Sequence, residues 1–322
     1  MPRNILKRVF DQLNTLWAES GAWPDYVAAM SQALLFAHKD NSENNKSENW
    51  ALLPGLCCQG AGGDPWWADD LAGAWYLLYI AADLMDKIQD QDPPHDWWAE
   101  LGPAIPLNAA SGLFFSASLL LNNLHHSEDT KGNKSEVISE FYQGFLRMCG
   151  GQHGDLLYSP PKLDQFWDIA ASKSGSFFSL ACRSGARLAT DDLLKIDGYG
   201  KFGHHLGVLI QILDDLESLK YLHLSAAPDR WLDFSHSLPA IYAVEVLPPS
   251  MASRLIQCLE IAHKDCVAAN DALEIIEQSG AVLYIEAEIE RNRVNALAGL
   301  GQALPQSPAG EKLGSLLHSL LS

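Results

Sequence analysis

Two groups of acidic residues close apolar stretches of the chain. Asp83, Asp86 and Asp90 follow the apolar run 71–80, and Asp214-Asp215 with Glu217 follow the stretch 202–213, which holds no formal charge. On a helix, Asp83, Asp86 and Asp90 stand at i, i+3 and i+7 and share one face. Carboxylates beside buried apolar surface are costly unless neutralised, and three aligned ones repel unless a cation sits among them. Oxygen ligands on rigid helices suit Mg²⁺, which takes a few carboxylates and leaves its other positions to water and substrate phosphates. Two such helices brought face to face would hold a diphosphate through bridging metal ions.

The elements that must position these groups read as helices. Apolar residues recur at three- and four-residue spacing over 4–20, 66–92, 107–124, 136–150, 173–189, 200–219 and 281–300, and alternating strand patterns are missing. Polar or proline-bearing breaks fall at 40–49, 93–94, 127–135, 159–161, 225–233 and 302–310, the last before a short terminal helix. None has the length or composition of an interdomain linker. The expected architecture is a single all-α domain over 1–322 with ten or more helices.

Composition narrows the partners. Hydrophobic residues are 48% of the 322 and charged residues 19%, ample for a large core. Forty acidic against 22 basic side chains give a formal charge of −18, which argues against nucleic acid or an anionic membrane. An anionic substrate would then need metal ions or a few placed lysines and arginines. The six cysteines show no CxxC pair, so buried free thiols in a reducing compartment are expected and a zinc site has no support. The N-terminus lacks an apolar signal core, and no apolar stretch is read as membrane-spanning. A cytoplasmic location follows as the expectation.

Further motifs carry a resemblance. Asp86-Lys87-Ile88-Gln89-Asp90 is similar to a DDxxD motif, and Gln211-Ile212-Leu213-Asp214-Asp215 to an FQxxDD motif. Gly151-Gln152 with Asp155 resembles a GQxxD element, and Lys173-Ser174 a Lys-Thr pair that opens the following helix. Segments 52–63 and 108–114, and Leu238-Pro239-Ala240-Ile241-Tyr242, fit the same pattern. In this order, across 52–242, the motifs resemble those of the trans-isoprenyl diphosphate synthase (polyprenyl synthetase) family, whose fold is shared with class I terpene synthases. The resemblance implies a large helical bundle around a central cavity, a homodimer, and a prenyl diphosphate substrate. It implies Asp86, Asp90 and Asp214 as Mg²⁺ ligands with Asp83 as a further candidate. It also implies Lys173 on the diphosphate, and Gln211, Gln152, Asp215 and Lys87 lining the same cavity. The chemistry implied is ionisation: metal ions and Lys173 stabilise charge on the departing diphosphate, leaving an allylic cation in a water-poor pocket.

The chain also departs from the family pattern. Lys87 replaces the second aspartate of DDxxD, and Asp92-Pro93-Pro94-His95-Asp96-Trp97-Trp98 stands where a pair of arginines is usual. A glycine-lysine-arginine segment is reduced to Asn45-Lys46-Ser47-Glu48-Asn49-Trp50, a lysine before the Leu-Pro element is Ser235, and the last acid of the second motif is Ser218. Several of these cations would bind isopentenyl diphosphate, and without them its anionic headgroup has little to pair with. Three readings follow. The first is a terpene synthase-like enzyme that ionises one prenyl diphosphate and cyclises it, or quenches it with water or another acceptor. The second is a chain-elongating synthase whose missing cations are replaced, for instance by Lys46, Arg183 or Arg187. The third is a non-catalytic partner subunit. Lys87 would either cap the aspartates as an internal counter-ion or contact the diphosphate.

The resemblance also implies that the residues four and five before Asp86, here Ala82 and Ala81, limit how deep the hydrocarbon tail runs; being small, with Leu78 and Trp75 as the next obstructions, they imply a deep pocket for a C15 or longer chain. His125-His126 and His204-His205 cannot chelate as adjacent helical pairs and read as structural. Asp69-Asp70 reads as a helix-starting cap. The tryptophan pairs 66–67 and 97–98 read as packing residues, and Gly150-Gly151 lacks the basic residue of a phosphate loop.

Overall fold

The structure, a computed structural model, describes residues 3–42, 50–90, 97–124, 134–158, 160–224, 231, 234–306 and 308–321. Among the described residues all regular structure is helical, as expected. The helices are α1 (Arg3–Glu19), α2 (Pro24–Ser42), α3 (Leu53–Gly60), α4 (Asp69–Gln89), α5 (Ala104–Asn123), α6 (Lys134–Leu157), α7 (Leu163–Ala170), α8 (Ser176–Arg187), α9 (Leu193–Leu224), α10 (Leu238–Val246), α11 (Pro249–Ile261), α12 (Cys266–Gln278), α13 (Ala281–Ala303) and α14 (Ala309–Leu320). Short 3-10 turns span Pro65–Ala68 and Phe234–His236, and a π-helical turn, Ala171–Gly175, joins α7 to α8. Contacts group the chain into two compact units. Met1–Gln143, Leu180–Gly200 and Gly299–Ser322 form the first, and Gly144–Ser179 and Lys201–Ala298 the second.

In the first unit α4 is apolar on nearly every side, and Leu71, Trp75, Leu77, Leu78 and Ile80 are all buried. A helix apolar all round belongs in a core. It packs most extensively on α5, with α1 and α2 also against it. Val9, Leu13 and Trp17, one turn apart on α1, are buried, and Trp17 Nε1 donates to Ser116 Oγ of α5 at 2.8 Å. α5 is itself long and apolar enough to cross a membrane, at 20 residues and mean hydropathy 1.6, which corrects the expectation that no stretch reaches that length. Half of its window is buried within the protein. Asp69 and Asp70 do open α4, but neither is its N-cap. That position is Ala68, without a side-chain cap. The two acids instead tie α4 to α1, Asp69 through Arg8 at 2.7 Å and Asp70 through Gln12 at 2.9 Å.

In the second unit, Phe166 and Ala170 of α7, Val208 and Ile212 of α9, Leu238 and Ile241 of α10 and Ile285 of α13 form one buried cluster. Each such side chain contributes roughly 1.5–3 kcal/mol by leaving water. Val208 and Ile212 fix the rotation of α9 and so set where its neighbours Gln211, Asp214 and Asp215 lie. A second cluster, including Leu255, Leu259, Leu273 and Ile276, holds α11 and α12.

All six cysteines are free thiols. Cys57, Cys58, Cys182 and Cys258 are buried as expected, whereas Cys149 and Cys266 are exposed. Burial pushes the Cys58 thiol up to about 12, which suits a packing role rather than a reactive one.

Candidate active site

The first acidic group ends α4. Asp83, Asp86 and Lys87 are half-buried, and Asp90, the C-cap, is exposed. The Asp90 N–H donates to the Asp86 carbonyl at 2.8 Å, so the helix persists to the last aspartate and keeps these two residues one turn apart. Lys87 Nζ lies 2.9 Å from Asp83 Oδ2, an i,i+4 ion pair. Lys87 therefore acts as an internal counter-ion, and it does so for Asp83. Asp86 and Asp90 are the remaining metal-type pair on this helix.

The predicted pocket residues separate on the helix. Ala81, Leu78 and Trp75 are buried. Ala82 and Tyr79 are half-buried and precede Asp86 at i−4 and i−7, on the same face as the aspartates. Trp75 stacks on Tyr79, with ring centroids 5.9 Å apart and planes 21° from parallel. Tyr79 is missing from the residues picked out in the sequence, although its i−7 spacing from Asp86 marks it.

In the second unit the π-helical turn carries Lys173 and Ser174, in place of the helix start expected there. Two glycines let it seat closely. A Cβ on Gly151 of α6 would lie 2.6 Å from Lys173 N, and one on Gly207 of α9 would meet the Ser174 carbonyl. So seated, Lys173 Nζ lies 3.1 Å from Asp155 Oδ2 of α6. Ser174 Oγ donates to Gln211 Oε1 at 3.2 Å, and Gln211 Nε2 donates to Asp215 Oδ1 at 3.5 Å. Asp215 Oδ2 accepts the Leu238 N–H at 2.8 Å, which anchors the first turn of α10. Asp215 is half-buried and Asp214 exposed. Burial pushes the Asp215 carboxyl up to about 7; the Leu238 N–H opposes this and the Asp214 charge adds to it. Gln152 is half-buried on α6, one residue from Gly151. His204 lies behind Gly175, with burial and His205 lowering its pKa, and His205 Nδ1 is 2.8 Å from Asn292 Oδ1. Both are structural histidines.

Among the described residues, no three or more His, Cys, Asp or Glu side chains form a cluster that could hold a metal ion. The trio Asp83, Asp86 and Asp90 expected from the sequence is therefore not brought together as a ready-made metal site, Asp83 being turned onto Lys87. Asp86 and Asp90 of α4, and Asp214 of α9, are carboxylates, the hard oxygen donors that Mg²⁺ takes.

Arg183 and Arg187 are not spare headgroup cations. Arg187, with its side chain only 7% exposed, is 2.7 Å from both Glu136 and Glu140, and Arg183 reaches Glu140 at 3.4 Å and Asp197 at 3.6 Å. The segments 45–49, with Lys46, and 92–96 lie outside the described residues, as do His125 and His126.

The polyprenyl synthetase family matches residues 68–276. A tryptophan prenyltransferase, ComQ, of Bacillus subtilis subsp. natto is 29% identical over 152 residues, covering 47% of this chain and 45% of the relative. The geranylgeranyl pyrophosphate synthase penG of Penicillium crustosum is 25% identical over 229 residues, covering 66% and 62%. The chain thus spans less than two thirds of either relative. The crystal structure of a polyprenyl synthase from Caulobacter crescentus, complexed with calcium and isoprenyl diphosphate, superposes with a TM-score of 0.78 at 19% identity, covering 100% of this chain and 96% of that one. The fold is the all-helical isoprenoid synthase fold.

Proposed function

The chain belongs to the polyprenyl synthetase family, whose members use prenyl diphosphates, and on that premise we propose that it is a prenyltransferase. In this reading it ionises an allylic prenyl diphosphate and passes the prenyl group to an acceptor other than isopentenyl diphosphate. The sequence puts cyclisation or quenching first, but the relatives are synthases and prenyltransferases, so transfer takes precedence here.

The observation that carries the acceptor is the state of the basic residues. Lys87 neutralises Asp83, and Arg183 and Arg187 are engaged by Glu136, Glu140 and Asp197. A diphosphate-bearing acceptor draws little from cations so committed. A relative that prenylates tryptophan supports an acceptor of different chemistry. Chain elongation with isopentenyl diphosphate is the second reading, favoured by the geranylgeranyl pyrophosphate synthase relative.

Lys173, steered by Asp155, takes the diphosphate, with Gln152 and Gln211 as polar partners. Mg²⁺ bound at Asp86 and Asp90 of α4, and at Asp214 of α9, would supply Lewis-acid stabilisation of phosphate oxygens. Ala82 and Tyr79 wall the hydrocarbon tail and exclude water from the cation. The allylic C–O bond breaks with its electron pair leaving on diphosphate. A carbon of the acceptor then supplies the pair for the new C–C bond and loses its proton.

We place this activity in a single domain over 1–322, because α6, α8, α9 and α13 each contribute residues to both compact units. A cytoplasmic location suits six free thiols. A homodimer is supported by Leu107, Phe115 and Leu119, an exposed apolar stripe along α5.

The test is diphosphate release with Mg²⁺ and geranyl, farnesyl or geranylgeranyl diphosphate, each with and without isopentenyl diphosphate, using Asp86→Ala as control. Release without isopentenyl diphosphate, lost in the control, is expected. Release only when it is present would establish elongation, and silence throughout would leave a non-catalytic partner subunit.

A further inference from the structure

The π-helical turn Ala171–Gly175, which carries Lys173 and Ser174, meets backbone on two sides. Gly151 of α6 brings the first close to Lys173 N, and Gly207 of α9 brings the second close to the Ser174 carbonyl. Behind Gly175 the turn meets a side chain instead. A Cβ on Gly175 would lie 2.7 Å from His204 Nδ1 and 2.8 Å from His204 Cε1, so the imidazole fills the space directly behind that residue. His204, Gly207 and Gln211 stand at i, i+3 and i+7 on α9 and present one face to the turn. The His204 ring is backed in turn by that of His205, edge to face with centroids 5.1 Å apart. His205 Nδ1 is 2.8 Å from Asn292 Oδ1 of α13, and Asn292, only 4% exposed, donates from Nδ2 to the Glu288 carbonyl at 3.0 Å. A line of packed groups thus runs from α13 to the turn.

We propose that His204 is a positioning residue for the diphosphate-binding ammonium: its imidazole wedges the π turn in register and so fixes where Lys173 Nζ lies. This rests on the role given to Lys173 above. A π turn is a rare departure from α spacing and persists where its surroundings hold it. Rewinding it to α spacing would swing Lys173 by one residue's rotation, roughly 100°. Nζ would then leave Asp155 Oδ2, now 3.1 Å away. The glycine contacts on α6 and α9 bar the turn from moving inward, and the imidazole bars Gly175 from dropping back. Burial and the neighbouring His205 both lower the His204 pKa, so the ring is neutral at pH 7 and adds no charge to the site. What it contributes is shape.

The experiment is a double-variant cycle in the full chain, read by calorimetric titration with inorganic pyrophosphate in Mg²⁺ and by circular dichroism melts. His204→Ala removes the wedge and Gly175→Ala drives a methyl group into it. Each should weaken pyrophosphate binding by about fivefold or more, as misplacement of a binding group does. In the double variant the new methyl takes up space the imidazole has left, so affinity should return to within about threefold of wild type, a strongly non-additive result. His204→Leu, which keeps the bulk without the ring nitrogens, should recover most of the loss seen in His204→Ala, and it stands in for that variant if the alanine fails to fold. A histidine that only supports the fold would lower Tm and leave pyrophosphate affinity unchanged. That result would overturn the proposal, as would a double variant no tighter than the weaker single one, a His204→Leu protein no tighter than His204→Ala, or a wild type that binds no pyrophosphate. Diphosphate release from farnesyl diphosphate by wild type is measured in parallel. Release together with an additive cycle removes the wedge alone, whereas binding and rescue without release keep the wedge and end the transfer reading.

Discussion

Lys87 Nζ sits 2.9 Å from Asp83 Oδ2, one turn back along α4. The lysine that replaces a carboxylate of the first motif is thus the counter-ion of an aspartate lying before that motif. Substitution and compensation fall on the same helix, and Asp86 and Asp90 keep their one-turn spacing.

Lys87→Ala should therefore leave activity and the half-saturating Mg²⁺ concentration within about threefold of wild type. The i,i+4 pair is part-exposed and worth only about 0.3–0.5 kcal/mol, so Tm should move by no more than about 2 °C. Asp86→Ala should lower kcat on the order of 10²-fold or more, as removal of transition-state charge stabilisation does. A Mg²⁺ titration of diphosphate release reads both. A tenfold change in the Lys87→Ala Mg²⁺ requirement would place that ammonium on the metal or the substrate.

The π-helical turn makes Gly151 as consequential as the lysine it faces. A Cβ 2.6 Å from Lys173 N has backbone in its way, so Gly151→Ala must displace the turn and with it the Lys173–Asp155 contact. Diphosphate release should fall about tenfold or more in Gly151→Ala and about a hundredfold in Lys173→Met, with secondary structure retained by circular dichroism. Asp155→Asn keeps the shape of the side chain and should cost less than either. A Gly151→Ala enzyme with wild-type kcat would show that the turn tolerates the shift.

The helices and the acidic groups are legible in the sequence because both rest on local spacing. α4, α9 and α13 read directly from their apolar recurrence, and Asp86 and Asp90 from theirs. What escapes is set by neighbours far along the chain. The apolar span α5 has no polar face to reveal which side is buried. The π turn at 171–175 is imposed where the backbone meets Gly151 and Gly207, which no local pattern records. Asp215 has the spacing of a ligand, yet it caps α10 through the Leu238 N–H, 23 residues on. The engagement of Arg183 and Arg187 likewise depends on Glu136 and Glu140 being carried to them by another helix.

Asp215 should also make stability depend on pH. Its folded-state carboxyl titrates at about 7, above the ordinary value of 3.8, chiefly through burial. Between about pH 4 and 7 the folded protein therefore holds a proton that the unfolded chain has lost. Stability is highest at the acid end of that window, falls as pH rises through 7, and is flat beyond. The side chain retains some exposure, so the loss should be smaller than the full shift implies. Urea unfolding at pH 5, 6, 7 and 8 in chelator should show the decline in wild type and its reduction in Asp215→Asn. Equal slopes in the two proteins would assign the dependence elsewhere.

Tyr79 lies seven residues before Asp86, roughly 10.5 Å along the helix, and with Ala82 it lines the same face. It, rather than Leu78, is the first bulky side chain on that face. Tyr79→Ala should favour longer allylic diphosphates, and Ala82→Phe should restrict the enzyme to the shortest. Ratios of kcat/KM for geranyl, farnesyl and geranylgeranyl diphosphate measure both, and an unchanged ranking in the two variants would remove this face from the tail's path.

Leu107, Phe115 and Leu119 stand at i, i+8 and i+12 on α5, and they are 44%, 67% and 48% exposed. A helix buried on one side with such a stripe on the other leaves more apolar surface to water than a solvated face usually carries. A second copy packed along the stripe would remove it and account for a helix as apolar as a membrane span. A charge at its centre cannot be desolvated there without a partner. Phe115→Glu should then halve the mass found by light scattering after size exclusion, and leave the α-helical signal unchanged. A wild-type protein that runs as a monomer at micromolar concentration would end this reading of α5.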